Sequence, residues 1–330
     1  MALVQHNNLP SIDRVAAEGI DVHVPNKANS GLGVINIGFL NMMPDAAIAA
    51  TERQFLRLLG SSDQISCKVF PFTIAGIERS PQARAYIRQY YSTFDDLKFN
   101  KLDAMVITGA NVMQPKLTNE SFWDGLREVL IWSKGNVKST ICSCLATHAA
   151  VKVFYNINRR HLGKKCWGVY EHNVENSSHV LTMGVSDKIK MCHSRYNDIS
   201  YDDFKRQQID NLIVSDEAGV QLAAEKDLSM VYFQGHPEYD DISLLKEYKR
   251  EIFLYLSTER EDYPPTPENY FDQKSVAYIE AYKKLVKSQP PTIDLIEKFP
   301  EAELKAGVKN PWKQASNMLF KHWIENFNKI

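Results

Sequence analysis

The chain has 330 residues, 44% of them hydrophobic, and a formal net charge of −1. This length suffices for one large α/β domain with an appendage, or for two modest domains. The balanced charge argues against nucleic acid or an anionic membrane as the main partner. Because the sequence contains neither a run of about 18 apolar residues nor a basic and apolar leader, we expect no membrane-spanning helix and no signal peptide.

The first 160 residues alternate between strand-like and helix-like patterns. Residues 1–33 are polar and irregular, which predicts an arm on the surface. Strands are then predicted at 34–40, 67–72, 102–108 and 139–143, and helices at 46–59, 79–94, 121–134 and 145–155. Strands that alternate with helices indicate an α/β, flavodoxin-like parallel sheet covered by helices on both faces. Ligands of such sheets collect beyond the carboxyl ends of the strands.

The pattern changes beyond residue 165. Short strands joined by turns predict an antiparallel extension, and helical patterns return near the C-terminus after a proline-rich break at 261–267. The predicted strands lie at 168–172, 180–183, 189–192, 212–214, 220–223 and 229–234, and the helices at 241–256, 274–287 and 312–327. We therefore predict an N-terminal arm (1–33), a catalytic domain (34–260) and a C-terminal helical extension (261–330) packed on the same domain.

The cysteines bear on the location of the protein and on metal binding. Their number, five, is odd, and an odd number of cysteines without an export signal predicts reduced thiols in the cytoplasm. Cys142 and Cys144 are separated by one residue rather than the two of a redox or zinc pair, and no second pair follows. The spacing therefore predicts no metal site.

Cys144 lies between the fourth predicted strand and its helix, where a nucleophile is most useful. A side chain on such a bend is exposed, and the N-terminus of the following helix favours a thiolate and developing negative charge. By this position alone, a buried structural thiol is the more common outcome. For Cys142, which lies inside the strand, the structural interpretation is favoured.

The block Gly235-His236-Pro237-Glu238 strengthens the catalytic interpretation. Residues i and i+2 of an extended segment project to the same side, so His236 and Glu238 can align at a strand end. A histidine with a carboxylate that orients its ring, together with a cysteine at another strand end, forms a Cys-His-Glu relay. By itself the block also fits an ordinary turn with a helix-capping carboxylate.

A nucleophilic relay of this kind also needs hydrogen-bond donors for the oxyanion that forms during attack. The backbone amide of Leu145, directly after the nucleophile, is one candidate. The 109–113 loop at the neighbouring strand end is the other.

These features occur together with several further sequence blocks. The blocks cover 40–44, 51–59, 106–110, 132–134, 168–172, 193–196 and 235–240. With Cys144 they resemble the homoserine O-acyltransferases (homoserine O-succinyltransferase/O-acetyltransferase family) of the class I glutamine-amidotransferase-like fold. The resemblance runs from about residue 34 to 260 and reappears at 312–323.

The resemblance implies Cys144 as nucleophile, His236 as base and Glu238 as the group that orients it. It implies acyl transfer from acetyl-CoA or succinyl-CoA, as cosubstrate, to the hydroxyl of L-homoserine or a related amino acid, in two half-reactions. No permanently bound cofactor is implied. The implied partners are these small molecules, neither nucleic acid nor membrane, and a homodimer is compatible with the family.

The resemblance also implies a set of substrate-binding residues. Lys165 matches a substrate-site lysine, and Ser194 and Arg250 match residues that hold the amino-acid acceptor. A guanidinium can bind an α-carboxylate through two hydrogen bonds. Glu247, three residues earlier on the same helical face, can meet the ammonium group. Without the resemblance, solvated surface charges and a turn serine are the favoured interpretations of these residues.

Three departures from the family pattern bear mainly on which acyl group the protein transfers. Met113 stands at about the position where acetyl-type members carry glutamate and succinyl-type members carry glycine. Its bulk would crowd a succinyl tail, which slightly favours acetyl. The segment 45–50 lacks the usual lysine, and residues 272–310 form an extra helical insertion.

Two other functions use the same residues. A glutamine amidotransferase or amidohydrolase would need the same relay, although no synthetase domain is attached and the cysteine is not flanked by glycine. A non-catalytic binding protein on the same scaffold is the third hypothesis.

Overall fold

The computed structural model describes residues 3–23 and 33–329. In this part of the chain, eleven strands form one sheet in the order β2-β1-β4-β3-β5-β6-β11-β10-β9-β7-β8. The strands are β1 (Leu3–Val4), β2 (Val22–His23), β3 (Gly33–Leu40), β4 (Ile65–Phe72), β5 (Ala104–Ile107), β6 (Ser139–Ser143), β7 (Arg160–Val174), β8 (Lys188–Asp198), β9 (Asp210–Ser215), β10 (Gly219–Ala224) and β11 (Met230–Phe233).

Helices cover both faces of this sheet. They are α1 (Pro10–Ala17), α2 (Ile48–Leu59), α3 (Pro81–Tyr90), α4 (Phe94–Lys98), α5 (Trp123–Asn136), α6 (Leu145–Tyr155), α7 (Tyr201–Arg206), α8 (Ser243–Leu256), α9 (Gln273–Lys287), α10 (Glu301–Gly307) and α11 (Lys313–Asn326). Strand β5 shows why helices must cover both faces of the sheet. Ala104 and Val106 belong to one hydrophobic cluster, and Met105 and Ile107 to the other, because successive side chains of a strand point to opposite faces.

The sheet is parallel from β2 to β11 and antiparallel from β11 to β8. The predicted α/β sheet with an antiparallel extension and C-terminal helices is therefore confirmed. Two predicted elements differ. Residues 180–183 form turns, in which the Thr182 hydroxyl donates to the Asn176 carbonyl, rather than a strand. The predicted helix 79–94 is divided because the amide of Ser92 donates to the Pro71 carbonyl of β4.

The prediction of an irregular arm over the first thirty residues is wrong for its described part. Strand β1 extends the parallel sheet by pairing Leu3 with Cys67 of β4. On α1, Ile12 and Val15 are buried in the main core. The Ser11 hydroxyl donates to Glu52, a buried carboxylate of α2. Residues 24–32 of the predicted arm lie outside the described residues.

The C-terminal helices share the core of the sheet. Trp312, Phe320 and Trp323 are fully buried in the cluster that also contains Phe233 of β11. The indole N–H of Trp323 donates to the Ser139 hydroxyl at 2.8 Å. This packing accounts for the helical pattern at 312–327. The predicted boundaries at residues 33/34 and 260/261 remain a prediction. Among the described residues, no helix is long and apolar enough to cross a bilayer.

Replacing Trp323 with alanine tests whether the C-terminal helices are part of one cooperative unit. We expect W323A to lower the free energy of unfolding by about 3–5 kcal/mol, the usual loss for a large buried aromatic side chain. Chemical denaturation should show one transition at a lower midpoint. The matched control is F99A, because the Phe99 side chain is 92% exposed and its loss should change stability little. A separate early transition in W323A would contradict a shared core.

Candidate active site

Cys144 lies at a strained turn between β6 and α6. Its φ is 51° and its ψ is −110°, a backbone conformation that costs a non-glycine residue roughly 1–3 kcal/mol. The surrounding hydrogen bonds hold the turn. The amide of Cys144 donates to the Phe233 carbonyl at 2.7 Å, and the Thr147 hydroxyl donates to the carbonyls of Phe233 and Cys142. This arrangement leaves the Cys144 side chain partly exposed at the end of β6.

The pairing of β6 with β11 places His236 beside this cysteine. The two strands are parallel, with Ser143 opposite Phe233, so the chain leaves both strands at the same edge of the sheet. After β11, the chain passes through a crowded position at Gly235. A Cβ atom there would lie 2.1 Å from Gln221 Oε1 and 2.7 Å from the Cys192 carbonyl oxygen. Glycine is therefore required for the chain to reach His236.

His236 is held from two directions. Its backbone amide donates to the Cys192 carbonyl, and the Cys192 thiol donates to the His236 carbonyl, both at 2.9 Å. Its Nδ1 lies 2.8 Å from Glu238 Oε1. Both the ring and the carboxylate are buried, and the ring stacks on Tyr239 with centroids 4.1 Å apart.

The charges around His236 favour its protonated form. Burial opposes protonation, but the Glu238 carboxylate and the Cys144 thiolate outweigh it and raise the pKa of His236 well above its usual value. A side-chain hydrogen bond with Cys144 also raises this pKa, and since Nδ1 faces Glu238, it involves the other ring nitrogen, Nε2. This nitrogen is therefore available for proton transfer at Cys144.

A cavity of about 360 Å³ opens in front of Cys144 and His236. The structure brings eight of the nine predicted site residues to its wall, namely Met113, Cys144, Leu145, Lys165, Ser194, His236, Glu247 and Arg250. Glu238, the ninth, lies behind His236. Residues from α6, β7, β8 and α8, and from the segments that follow β5, β6 and β11, thus meet. As many as 137 positions separate them along the chain, between Met113 and Arg250.

Glu247 is the centre of a polar cluster in this cavity. It accepts hydrogen bonds from Ser194 and Tyr239, both at 2.6 Å, and forms an ion pair with Lys165 at 3.2 Å. Burial alone would raise the pKa of Glu247, but Lys165, Ser194 and Tyr239 lower it below its usual value. The Lys165 ammonium also lies 4.1 Å from the Trp167 ring centroid. A buried carboxylate kept ionised in this way can receive an ammonium group.

Arg250 lines the same cavity from α8, but it does not pair with Glu247. Its guanidinium donates to Glu251 at 3.3 Å, and its side chain is 58% exposed. It is therefore free to reorient toward a ligand at low cost.

The 109–113 loop lies beside the nucleophile, as predicted. A Cβ atom on Gly109 would lie 3.6 Å from Cys144 Cβ and 3.8 Å from the amide nitrogen of Leu145. Glu120 anchors the end of the loop by accepting from the amides of Met113 and Gln114 at 2.8 and 2.7 Å. The Met113 side chain is 85% exposed, so it does not fill the space in front of Cys144.

Sequence reasoning missed several residues of this cavity. Tyr239 and His148 have no catalytic motif of their own, although their spacing gave a signal. Tyr239 lies three residues after His236, and His148 lies one helical turn after Cys144. Cys142, interpreted as structural, is fully buried, and burial raises the pKa of its thiol. No group of three or more potential metal ligands is found among the described residues.

Comparison with known proteins gives the family. A family model described as homoserine O-succinyltransferase matches residues 2–329. The homoserine O-succinyltransferase of Methylobacter tundripaludum is 46% identical over 327 residues, covering 98% of this chain and 92% of that protein. The homoserine O-succinyltransferase of Methylococcus capsulatus is 44% identical over 333 residues, covering 100% and 94%. This chain belongs to the homoserine O-succinyltransferase family.

Membership of the homoserine O-succinyltransferase family makes the chain an acyltransferase and confirms the resemblance noted in its sequence. Solved structures are more distant. The protein SMU.1228c aligns with a TM-score of 0.50 at 11% identity, covering 89% of this chain and 100% of that one. A glutamine amidotransferase from Thermotoga maritima aligns with a TM-score of 0.45 at 12% identity, covering 88% and 99%. The sheet order and strand pairing of this chain confirm the predicted α/β fold class.

Replacing Glu238 with glutamine tests the electrostatic coupling at His236. The substitution keeps the shape of the side chain but removes the charge that stabilises the imidazolium, so we expect the pKa of His236 to fall. Titration of the histidine ring protons by NMR measures this directly. The control is E303Q, an exposed position on α10, which should leave the His236 titration where it is. An unchanged pKa in E238Q would contradict the coupling.

Proposed function

We propose that this protein transfers a succinyl group from succinyl-CoA to the side-chain hydroxyl of L-homoserine through a Cys144 thioester. The observation that carries the proposal is the meeting of Cys144, the His236–Glu238 pair and the ionised Glu247 in one cavity. The full-length similarity to proteins named homoserine O-succinyltransferase supports the same reaction.

Succinyl is proposed rather than acetyl, which the sequence slightly favoured. That preference depended on the bulk of Met113. The exposed Met113 side chain leaves the cavity open, and the relatives that match this chain along its length are named for succinyl transfer. Acetyl-CoA and succinyl-CoA differ only in the acyl group, so the same cysteine chemistry serves both.

In the first half-reaction, the Cys144 thiolate attacks the thioester carbonyl of succinyl-CoA. The developing oxyanion accepts hydrogen bonds from the amide of Leu145, at the N-terminus of α6, and from the 109–113 loop. The bond from the carbonyl carbon to the CoA sulfur then breaks, and His236 gives its proton to the departing thiolate. Cys144 is left as a succinyl thioester and His236 as a neutral imidazole.

The second half-reaction uses the change in charge that the first one produces. A thioester at Cys144 carries no negative charge, so one of the two interactions that hold the pKa of His236 high is lost. The neutral His236 can then accept the proton of the homoserine hydroxyl as its oxygen attacks the acyl carbon. Cleavage of the bond to Cys144 releases O-succinylhomoserine and restores the thiolate–imidazolium pair.

The polar cluster around Glu247 supplies the acceptor site in this proposal. The Glu247 carboxylate, held by Ser194 and Tyr239, receives the α-ammonium group of homoserine. Arg250 swings from Glu251 to bind the α-carboxylate. Lys165 keeps Glu247 ionised. Homoserine carries one positive and one negative charge at its α-carbon. Because Glu247 and Arg250 bind these two charges, the side-chain hydroxyl is oriented toward Cys144.

Intact-mass measurement of the protein after incubation with succinyl-CoA alone tests the nucleophile. We expect the mass of one succinyl group to be added, and to disappear when homoserine is supplied, because a thioester intermediate forms and then turns over. C144A should show no added mass and no product.

The matched control is C142A, which removes a buried thiol two residues away. It should still acquire the succinyl group. Acylation of C144A, or release of ammonia from glutamine without acyl transfer, would contradict the proposal.

Arg250 and the acceptor site can be tested by steady-state kinetics. R250A should raise the KM for homoserine by roughly a hundredfold, the loss expected for a charge-assisted contact to a carboxylate. The KM for succinyl-CoA should change little. K246A, at an exposed position on the same helix, is the control and should leave both constants unchanged. An unchanged KM for homoserine in R250A would contradict the proposal that Arg250 binds the α-carboxylate.

A further inference from the structure

Two basic side chains of the active-site cavity have no role in the steps above. His148 belongs to α6, and Arg159 lies in the segment that leads from α6 into β7. Both line the cavity together with Cys144.

His148 lies in the first turn of α6, and its side chain lines the same cavity as Cys144. The ring is 3% exposed, and a side-chain hydrogen bond with Gln234, which acts to raise its pKa, leaves at least one ring nitrogen without a partner among the described residues. Burial, together with the cations of Arg195 and Arg159, lowers the pKa of His148 to about 3. A neutral, buried and incompletely paired imidazole is unfavourable unless a ligand accepts its N–H.

Arg159 is also poorly satisfied. Its guanidinium is half-buried and donates a long hydrogen bond of 3.4 Å to the Gln114 carbonyl. Within the described ranges, no carboxylate lies within 4 Å of it, whereas the adjacent Arg160 binds Asp198 through two hydrogen bonds of 3.1 and 3.0 Å. Burial lowers the pKa of Arg159, while the charges of Glu120 and the Cys144 thiolate oppose this effect. The guanidinium and the Cys144 side chain line the same cavity.

These observations define a small anion site next to the nucleophile. The succinyl group carries a carboxylate two methylene groups from its thioester carbon, a span of roughly 4 Å from standard bond lengths. We propose that Arg159, assisted by His148, binds this terminal carboxylate and thereby selects succinyl-CoA over donors with uncharged acyl groups. The inference rests on the proposed function.

The phosphates of CoA are a second source of the same negative charge. His148 and Arg159 also line an adjoining groove with Lys116 and Lys152, which a phosphate could enter. The pantetheine arm, however, separates the phosphates from the thioester by many bonds. Proximity to Cys144 therefore favours the acyl carboxylate.

Comparing succinyl-CoA with butyryl-CoA separates these two sources. Butyryl-CoA has the same acyl chain length but a methyl group in place of the carboxylate. In R159M, we expect kcat/KM for succinyl-CoA to fall by roughly a hundredfold, as when one partner of a buried charge pair is removed. The value for butyryl-CoA should stay within about threefold, because no charged contact to the acyl group is lost. R159K should be intermediate.

Two further variants complete the series. H148N should lower kcat/KM for succinyl-CoA by roughly tenfold, since an uncharged hydrogen bond is lost. K164Q removes a positive charge from β7 at a side chain that is 82% exposed and pairs with Glu268. It should leave the preference between the two donors unchanged. Thermal unfolding of each variant shows whether it is folded.

The outcomes distinguish this inference from the proposed function. An equal loss for both donors in R159M would place a CoA phosphate at Arg159 and overturn the inference, as would no loss at all. A wild-type protein that acylates Cys144 equally well from both donors would also overturn it while leaving the acyl transfer intact. A wild-type protein that forms no acyl-enzyme with either donor would overturn the proposed function first.

Discussion

The active site depends on the parallel pairing of β6 with β11. The carbonyl of Phe233, the last residue of β11, accepts hydrogen bonds from the amide of Cys144 and the hydroxyl of Thr147. The Phe233 carbonyl oxygen thus holds the strained turn after β6 against the end of β11. Because parallel strands end at the same edge, this pairing also brings His236 to the cysteine. A slip of one residue would turn these side chains to the opposite face.

The charged and polar side chains near Cys144 form one connected series of contacts. The His236 ring stacks on Tyr239 at 4.1 Å, and the Tyr239 hydroxyl donates to Glu247 at 2.6 Å. Glu247 in turn pairs with Lys165. The carboxylates of Glu238 and Glu247 each lie beside a group that stabilises the negative charge, which offsets the cost of removing that charge from water. A ligand that changes one of these charges will therefore change the protonation of its neighbours.

The elements that sequence reasoning predicted best are those with strong local patterns. Strands β3 to β6 and helices α2, α5 and α6 are long, periodic or fully apolar, and their positions agree with the structure within a few residues. The first twenty residues were misjudged because β1 has only two residues. Such a short strand exists through pairing with β4, which no local pattern reports. The turn at 180–183 was misjudged for a different reason, because hydrogen bonds to the nearby carbonyls of Asn176 and His179 hold residues that also fit a strand pattern.

The sequence by itself determined the strand–turn–helix around Cys144, the His236–Glu238 spacing and the family blocks, because these depend on residues near one another in the chain. Only the tertiary structure decided which side chains share the cavity. It paired Glu247 with Lys165, Ser194 and Tyr239 and left the Met113 side chain exposed at the cavity wall. It also left Arg159 without a carboxylate partner in the part of the chain that the structure describes. These outcomes depend on contacts between distant strands and helices, and a linear pattern carries no information about the space between them.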